Sequence, residues 1–398
     1  MAPLPLQGSV LSPVVLPVPR VVAVRGKPAL FQLLDYEVAA LPGVSGLGAR
    51  KLATLCGSEG SHPFCDTSGP ALPARLPRWT VEAQRCGLVS CGGLLSRGGG
   101  AIMPALANLC AARGSRLTWH TPSLPDRVRE KPSGNLGLAL ATGCVDLVEH
   151  SSMVDYHAAI AAAATEPNFI PQGGAWPYAE PGMAALARAI AAWWRTRPGG
   201  GLDVPARLPA TARGLDVVLP AATGAAALYL ARHLPAGVHV YAVPVKGDAE
   251  ALRRRMQRLD AQSGEGGRLP SVLLPPRSHA VKFGAVTAAL LATWKDATAS
   301  GVLLDLVYGP VAWGALEACA WRPSGEEGRE TLYINTGGHE GLHDQMRRYA
   351  RAGHLRKLEQ GRDHLWNNGQ WEVEEMLSAA RRVAARTAGL VHTRDAGL

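Results

Sequence analysis

Apolar positions along the chain follow two periods that take turns. Short, almost uniformly apolar runs at residues 30–35, 88–91, 117–119, 145–148, 215–219, 238–245, 302–305 and 331–335 fit strands buried on both faces. Between them lie helical patterns at 49–55, 101–113, 135–142 (closed by Gly143), 155–164 and 285–297, and one that sets Leu186, Ile190 and Trp194 on a single face. Residues 169–174 read as a strand ending in a turn. Strands alternating with helices predict an α/β fold of parallel sheets flanked by helices. Residues 57–78, 199–208 and 264–277 lack either period and read as loops.

The clearest unit is residues 215–234: a buried strand, a small-residue turn, then an Ala/Leu helix that stops before Pro235. Such a turn aims free backbone N–H groups and the positive end of the helix dipole at one point, where phosphorylated cofactors bind. Ala222, Ala225 and Ala226 put methyl groups where an efficient anion cradle has Gly, Ser or Thr. Only Thr223 and Gly224 remain as cradle residues, so the turn reads as one kept for packing.

Charge changes the picture next. The chain of 398 residues has 41 basic and 32 acidic side chains, a net +9, which favours anionic partners. The seven cysteines are odd in number and lack C-x-x-C spacing, which points to a reducing compartment and to neither a zinc ribbon nor a disulfide frame. No apolar run is long enough for a membrane span. Arg20, Arg25 and Lys27 precede the first acid, Asp35, a bias found in organelle transit peptides. Five prolines before residue 20 break an amphipathic presequence helix, so the segment reads better as an extended arm on the domain.

From His343 onward the pattern turns polar, helical and basic, with Arg347, Arg348, Arg351, Arg356, Lys357 and Arg362. A second helix is expected at 371–387, acidic at its start and basic at its end, as its dipole prefers. These charges read either as a solvated face or as a docking appendage. His339, Glu340 and His343 spell H-E-x-x-H, the zincin motif, in which two histidines bind zinc and the glutamate activates water. That chemistry needs a regular helix, and Gly337, Gly338 and Gly341 crowd this one. A zinc hydrolase is therefore a remote alternative. His150, His157 and His279 show no partner in the sequence, and Trp193 and Trp194 read as the core and rim of one helix.

Seven stretches stand in a fixed order: GLGARKL (46–52), VSCGGLLSRGGGA (89–101), SGNLGLALATG (133–143), IPQGG (170–174), DVVLPAATGAAALYL (216–230), GVLLDLVYGPVAWGAL (301–316) and YINTGGHEGL (333–342). Together they resemble the fold type II pyridoxal-phosphate enzymes, specifically the aminocyclopropane-carboxylate deaminase and D-cysteine desulfhydrase family. The resemblance spans residues 8–345. It implies a two-lobed, tryptophan synthase β-like architecture. Residues 1–51 and 166–345 form the large, former cofactor lobe, 52–165 the small lobe, and 346–398 a basic helical C-terminal extension outside the family.

In the enzymes that the chain resembles, a lysine in a G-N-K-x-R-K-L segment holds the cofactor as a Schiff base and moves the substrate proton. Aligning Arg50, Lys51 and Leu52 on that ending puts Gly48 at the lysine and Leu47 at the asparagine. Glycine has no amine, so covalent attachment and the base are both lost. The S-N-Q-T-R segment, which implies a substrate-carboxylate clamp, begins Ser96, Arg97 here. In the D-P-V-Y-[TE]-G-K segment Tyr308 is retained, but the residue facing the pyridine nitrogen is Gly309. Thr336, Gly337 and Gly338 are the best-kept remnant.

The reading that results is a catalytically inactive homologue, with no cofactor expected. It would be a structural or interaction subunit docked through its basic surface and C-terminal helices on a larger protein or RNA–protein assembly. An organellar ribonucleoprotein such as the mitochondrial ribosome is the expected setting, with a cytoplasmic location as the alternative. The rival is an active pyridoxal-phosphate-dependent deaminase or desulfhydrase acting on a small amino acid. Lys51, one helical turn from Gly48, would then replace the lost lysine, with Ser96 and Tyr308 beside it.

Overall fold

A computed structural model of the chain describes residues 19–27, 29–34, 39–41, 44–55, 87–92, 102–197, 214–263, 266–280 and 282–355. Twelve strands are present among them. The large sheet runs β1 (Arg20–Ala23), β2 (Leu30–Leu34), β12 (Glu330–Asn335), β9 (Leu215–Ala221), β10 (Val238–Pro244) and β11 (Ser271–Val272). The small sheet runs β7 (Val145–His150), β6 (Leu117–Pro122), β5 (Leu88–Cys91) and β8 (Phe169–Ile170). A two-stranded ribbon joins β3 (Ala39–Leu41) to β4 (Val44–Ser45). Pairing is parallel throughout both larger sheets except where β1 runs against β2.

Eleven α-helices follow in chain order: α1 (Gly46–Lys51), α2 (Ile102–Ala112), α3 (Asp126–Glu130), α4 (Gly134–Leu140), α5 (Met153–Ala163), α6 (Glu180–Arg195), α7 (Ala225–His233), α8 (Ala249–Gln262), α9 (Ala288–Ala299), α10 (Gly309–Ala318) and α11 (Leu342–Arg351). The alternation of periods thus becomes two parallel sheets, each coated by helices. Every residue of β9 is buried, because one face packs on α7 and the other on α10. Burial of one such Val or Leu contributes about 1.5–3 kcal/mol.

Ion pairs tie elements of the core together. Arg329 donates Nε–H to Asp216 at 2.6 Å and further N–H groups to the carbonyls of Leu215 and Gly237, tying β12 to the start of β9 and to the approach to β10. Arg232 on α7 holds Glu180 of α6 and Asp260 of α8 at once, at 3.0 and 2.5 Å. Where α6 crosses α1, the approach is so close that a Cβ on Gly182 would lie 1.9 Å from the carbonyl oxygen of Arg50. Only glycine fits there.

Several expectations change. Residues 302–305 form no strand: the carbonyl of Leu304 accepts from Trp294 Nε1 at 2.8 Å, and that of Leu303 from Asn335 and His339. The 264–277 loop contains β11, which adds a parallel edge strand. Within the basic approach to the domain, β1 forms where only an extended arm was foreseen. Met346 and Tyr349 are buried in the cluster that holds Trp294 and Trp313, so α11 packs into the core. The small sheet also reaches Ile170, five residues past the 165 boundary. The 57–78 and 199–208 loops and the 371–387 helix lie outside the described residues. No described helix is long and apolar enough to cross a membrane.

Candidate functional site

Helix α1 carries Gly48 and Lys51 one turn apart. Lys51 lays its side chain against Gly174 and donates Nζ–H to the carbonyl of Gly173 at 2.8 Å. Gly173 in turn abuts Thr223: a Cβ on it would lie 3.1 Å from the threonine methyl. Lys51, the turn after β8 and the β9–α7 turn therefore form one contact chain. Burial pushes the Lys51 amine down to about 8.

Gly224 is left-handed, with φ +86°, and packs on α8 so tightly that a Cβ would meet Met256 Cγ at 2.4 Å. The turn is fixed by packing, and no side chain caps α7. Gly337 and Gly338 are also left-handed, at φ +84° and +91°. Gly338 lies over Asp305, and the Gly337 N–H bonds to the Asn335 side chain. Thr336 is half-buried beside them.

Asp305 organises the start of α10. Its carboxylate accepts N–H bonds from Val307 and Tyr308 at 2.7 Å and from Gly309 at 3.0 Å. Burial outweighs these donors and pushes the acid up to about 6. Burial, and then the neighbouring Asp305, raise the Tyr308 phenol; its ring packs edge-on against Phe283 at 5.5 Å. A Cβ on Gly309 would lie 2.6 Å from Leu304 Cβ, so position 309 has no room for a side chain. Position 48 differs: a Cβ there would make an ordinary contact with Ala105, at 3.4 Å.

In the small sheet, Cys91 at the end of β5 neighbours Tyr156 of α5. Burial raises the thiol, and Tyr156, the backbone at Gln172 and Lys246 pull it part of the way back. Beside this group His120 and His150 stack with ring centroids 5.2 Å apart and share an Nδ1···Nε2 hydrogen bond of 3.0 Å. Neither this pair nor Asp305 was legible as a partner set. For Asp305 a signal existed: an aspartate four residues before Gly-Pro marks a helix start. His279, also without a visible partner in the sequence, bonds Ser278 and Thr293.

Ser96 and Arg97 lie outside the described residues, as do Arg356 and Lys357. His339 sits on a 3-10 turn, donates Nε2–H to the Leu303 carbonyl and precedes the regular helix, which begins at Leu342. The H-E-x-x-H residues thus do not share one unbroken helix; of Glu340 and His343 only the backbone is described. No group of three metal-ligating side chains occurs among the described residues. Arg347 and Arg351 are exposed on α11, while Arg348 turns inward to Gln345 and the Gly284 carbonyl.

No protein-family model matches the sequence. Three solved structures are similar over almost their whole length. An ACC deaminase homologue is 17% identical, over 85% of this chain and 95% of that one, with a TM-score of 0.57. O-ureido-L-serine synthase is 15% identical, over 91% and 99%, at 0.50. A hydrogen sulfide-producing enzyme from Fusobacterium nucleatum is 12% identical, over 84% and 99%, at 0.50. The chain has the fold type II architecture of pyridoxal-phosphate enzymes.

Proposed function

We propose that this chain is a catalytically inactive homologue of the pyridoxal-phosphate enzymes, retained as a structural subunit of a larger assembly and docked through its basic surface. One observation carries the reading. The position facing the pyridine nitrogen in the enzymes is occupied here by Gly309, and Leu304 fills the space that a partner side chain would need. A missing side chain could be restored by one substitution, whereas a filled space requires the surrounding core to repack. The absent amine at Gly48 adds to this, as do the methyl-lined turn at Ala222, Ala225 and Ala226. The residues present do not fit covalently held pyridoxal phosphate in the family's manner, and no reaction step is assigned to it.

The net charge of +9 supports an anionic partner, and an RNA-containing organellar assembly such as the mitochondrial ribosome fits that charge. The test has two parts. Purified chain incubated with pyridoxal phosphate and then desalted is expected to show no visible band from retained cofactor. Native extract on a density gradient is expected to carry the chain in a fast-sedimenting particle that nuclease disperses. Migration as a free monomer before nuclease treatment would refute the docking role.

A second reading has a specific observation in its favour. Lys51 presents a part-buried amine, pushed down to about 8, in contact with the turn that touches Thr223. Retained pyridoxal phosphate that Lys51→Ala abolishes would establish this lysine as a relocated attachment point. The alternative of an active deaminase or desulfhydrase would then replace the inactive reading.

A further inference from the structure

We propose that the outward face of α8 binds a nucleic-acid phosphate backbone. The inference rests on the docking role above and gives it a surface and a partner chemistry. Leu252, Met256 and Leu259 bury one face of α8 at helical spacing. The opposite face therefore exposes Arg253, Arg254, Gln257 and Arg258.

Counter-charge on this face is scarce. Glu250 is shared between Arg253 and Arg254, at 3.9 and 3.4 Å. The Asp248 carboxylate caps the helix by accepting the Ala251 N–H at 2.7 Å. Arg258 donates only to the Arg254 carbonyl, and no carboxylate pairs with it among the described residues. Arg255 folds under the turn after β10 and donates to the Lys246 carbonyl at 2.6 Å. Its Nε is buried without a partner, and Arg254 and Arg258 crowd it with like charge. Arg253 and Arg254 thus share one glutamate, Asp248 offsets part of the charge around Arg255, and Arg258 pairs with no carboxylate among the described residues, an arrangement that an arriving polyanion relieves.

Two features favour phosphate over an acidic protein. Protein interfaces centre on apolar and aromatic side chains. The exposed large apolar residues among those described, Leu138, Met153, Val154, Leu269 and Leu274, all lie off α8. Guanidinium groups also bind phosphate oxygens through two parallel N–H bonds, and such contacts need no base sequence. Arg254 and Arg258 are separated by about 6 Å along the helix axis, a length over which one strand of a duplex carries about two phosphates.

The test uses the full chain and fluorescent oligonucleotides of one sequence, as single-stranded RNA, single-stranded DNA and duplex DNA, with polyglutamate as the acidic-protein mimic. Binding is read by anisotropy between about 50 and 200 mM salt. The variant Arg253→Gln/Arg254→Gln/Arg258→Gln keeps helix-compatible side chains at exposed sites. It is expected to bind at least roughly tenfold more weakly, with the slope of log K against log salt reduced by about two. The oligonucleotide that keeps most affinity at high salt identifies the source of the phosphate.

An unchanged affinity and slope in this variant would overturn the inference, as would polyglutamate binding with the same dependence on these arginines. If Arg347→Gln/Arg351→Gln loses binding instead, the α8 assignment fails while docking through a basic surface survives. Anisotropy reports this surface even if the native chain proves to be a free monomer, so the two failures remain separable.

Discussion

Placing threonine at position 309 tests whether Leu304 leaves room for a side chain there. A Cβ there would lie 2.6 Å from Leu304 Cβ, 3.3 Å from Leu304 Cγ and 3.4 Å from an Asp305 oxygen. Neither wall yields easily. The Gly309 N–H is held by Asp305 at 3.0 Å, and the Leu304 carbonyl by Trp294 at 2.8 Å. Overpacking of this kind costs about 1–3 kcal/mol. At roughly 2–4 °C per kcal/mol for a lobe of this size, Gly309→Thr should melt about 2–12 °C below the parent. Trp294 and Trp313, both buried beside the contact, give the fluorescence readout.

The clash is between Cβ atoms, which separates two companion variants. Leu304→Ala keeps its Cβ and should not rescue Gly309→Thr. Leu304→Gly removes it, so the double variant should be less destabilised than the two single changes summed, by about 1–3 kcal/mol. A threonine variant as stable as the parent, or equal rescue by Ala and Gly, would refute the claim that Leu304 fills the site.

Further outcomes follow from charge and burial. Burial pushes the folded Asp305 carboxyl up to about 6 from the ordinary 3.8, so the folded state binds its proton more tightly and stability should fall by about 2 kcal/mol as pH rises from 4 to 6. Asp305→Asn should abolish that slope in urea unfolding midpoints. Lys51 behaves oppositely: with a folded value of about 8 against 10.5, the unfolded chain binds more protons, and stability should rise between these values. Lys51→Met should flatten that stretch of the profile. Arg329→Met leaves Asp216 charged and buried, and should cost roughly 3–5 kcal/mol by thermal melting.

The parallel core was legible because strands such as β9 are apolar on both faces, a pattern that depends on little beyond burial. Residues 302–305 carry the same pattern without becoming a strand. Their carbonyls are taken by side chains of Trp294, Asn335 and His339, which no local period encodes. β1 was hidden because it is only four residues long and, among the described residues, pairs with β2 alone. In the site, the glycines at 48, 224 and 309 could be read from the chain, but not what faces them. Leu304, Met256 and Ala105 become neighbours only in the fold. The His120–His150 contact depends on the register of β6 against β7, with 30 residues between the two rings.

The crossing of α1 and α6 bears on how relatives of this chain can be found. Gly182 is required by a neighbouring backbone and not by any reagent, so the constraint on it is the same whatever chemistry the chain does or does not perform. Searches keyed to reactive side chains will pass over relatives that share the fold and not the reagents. A profile weighted toward glycines with no space around them would retrieve them.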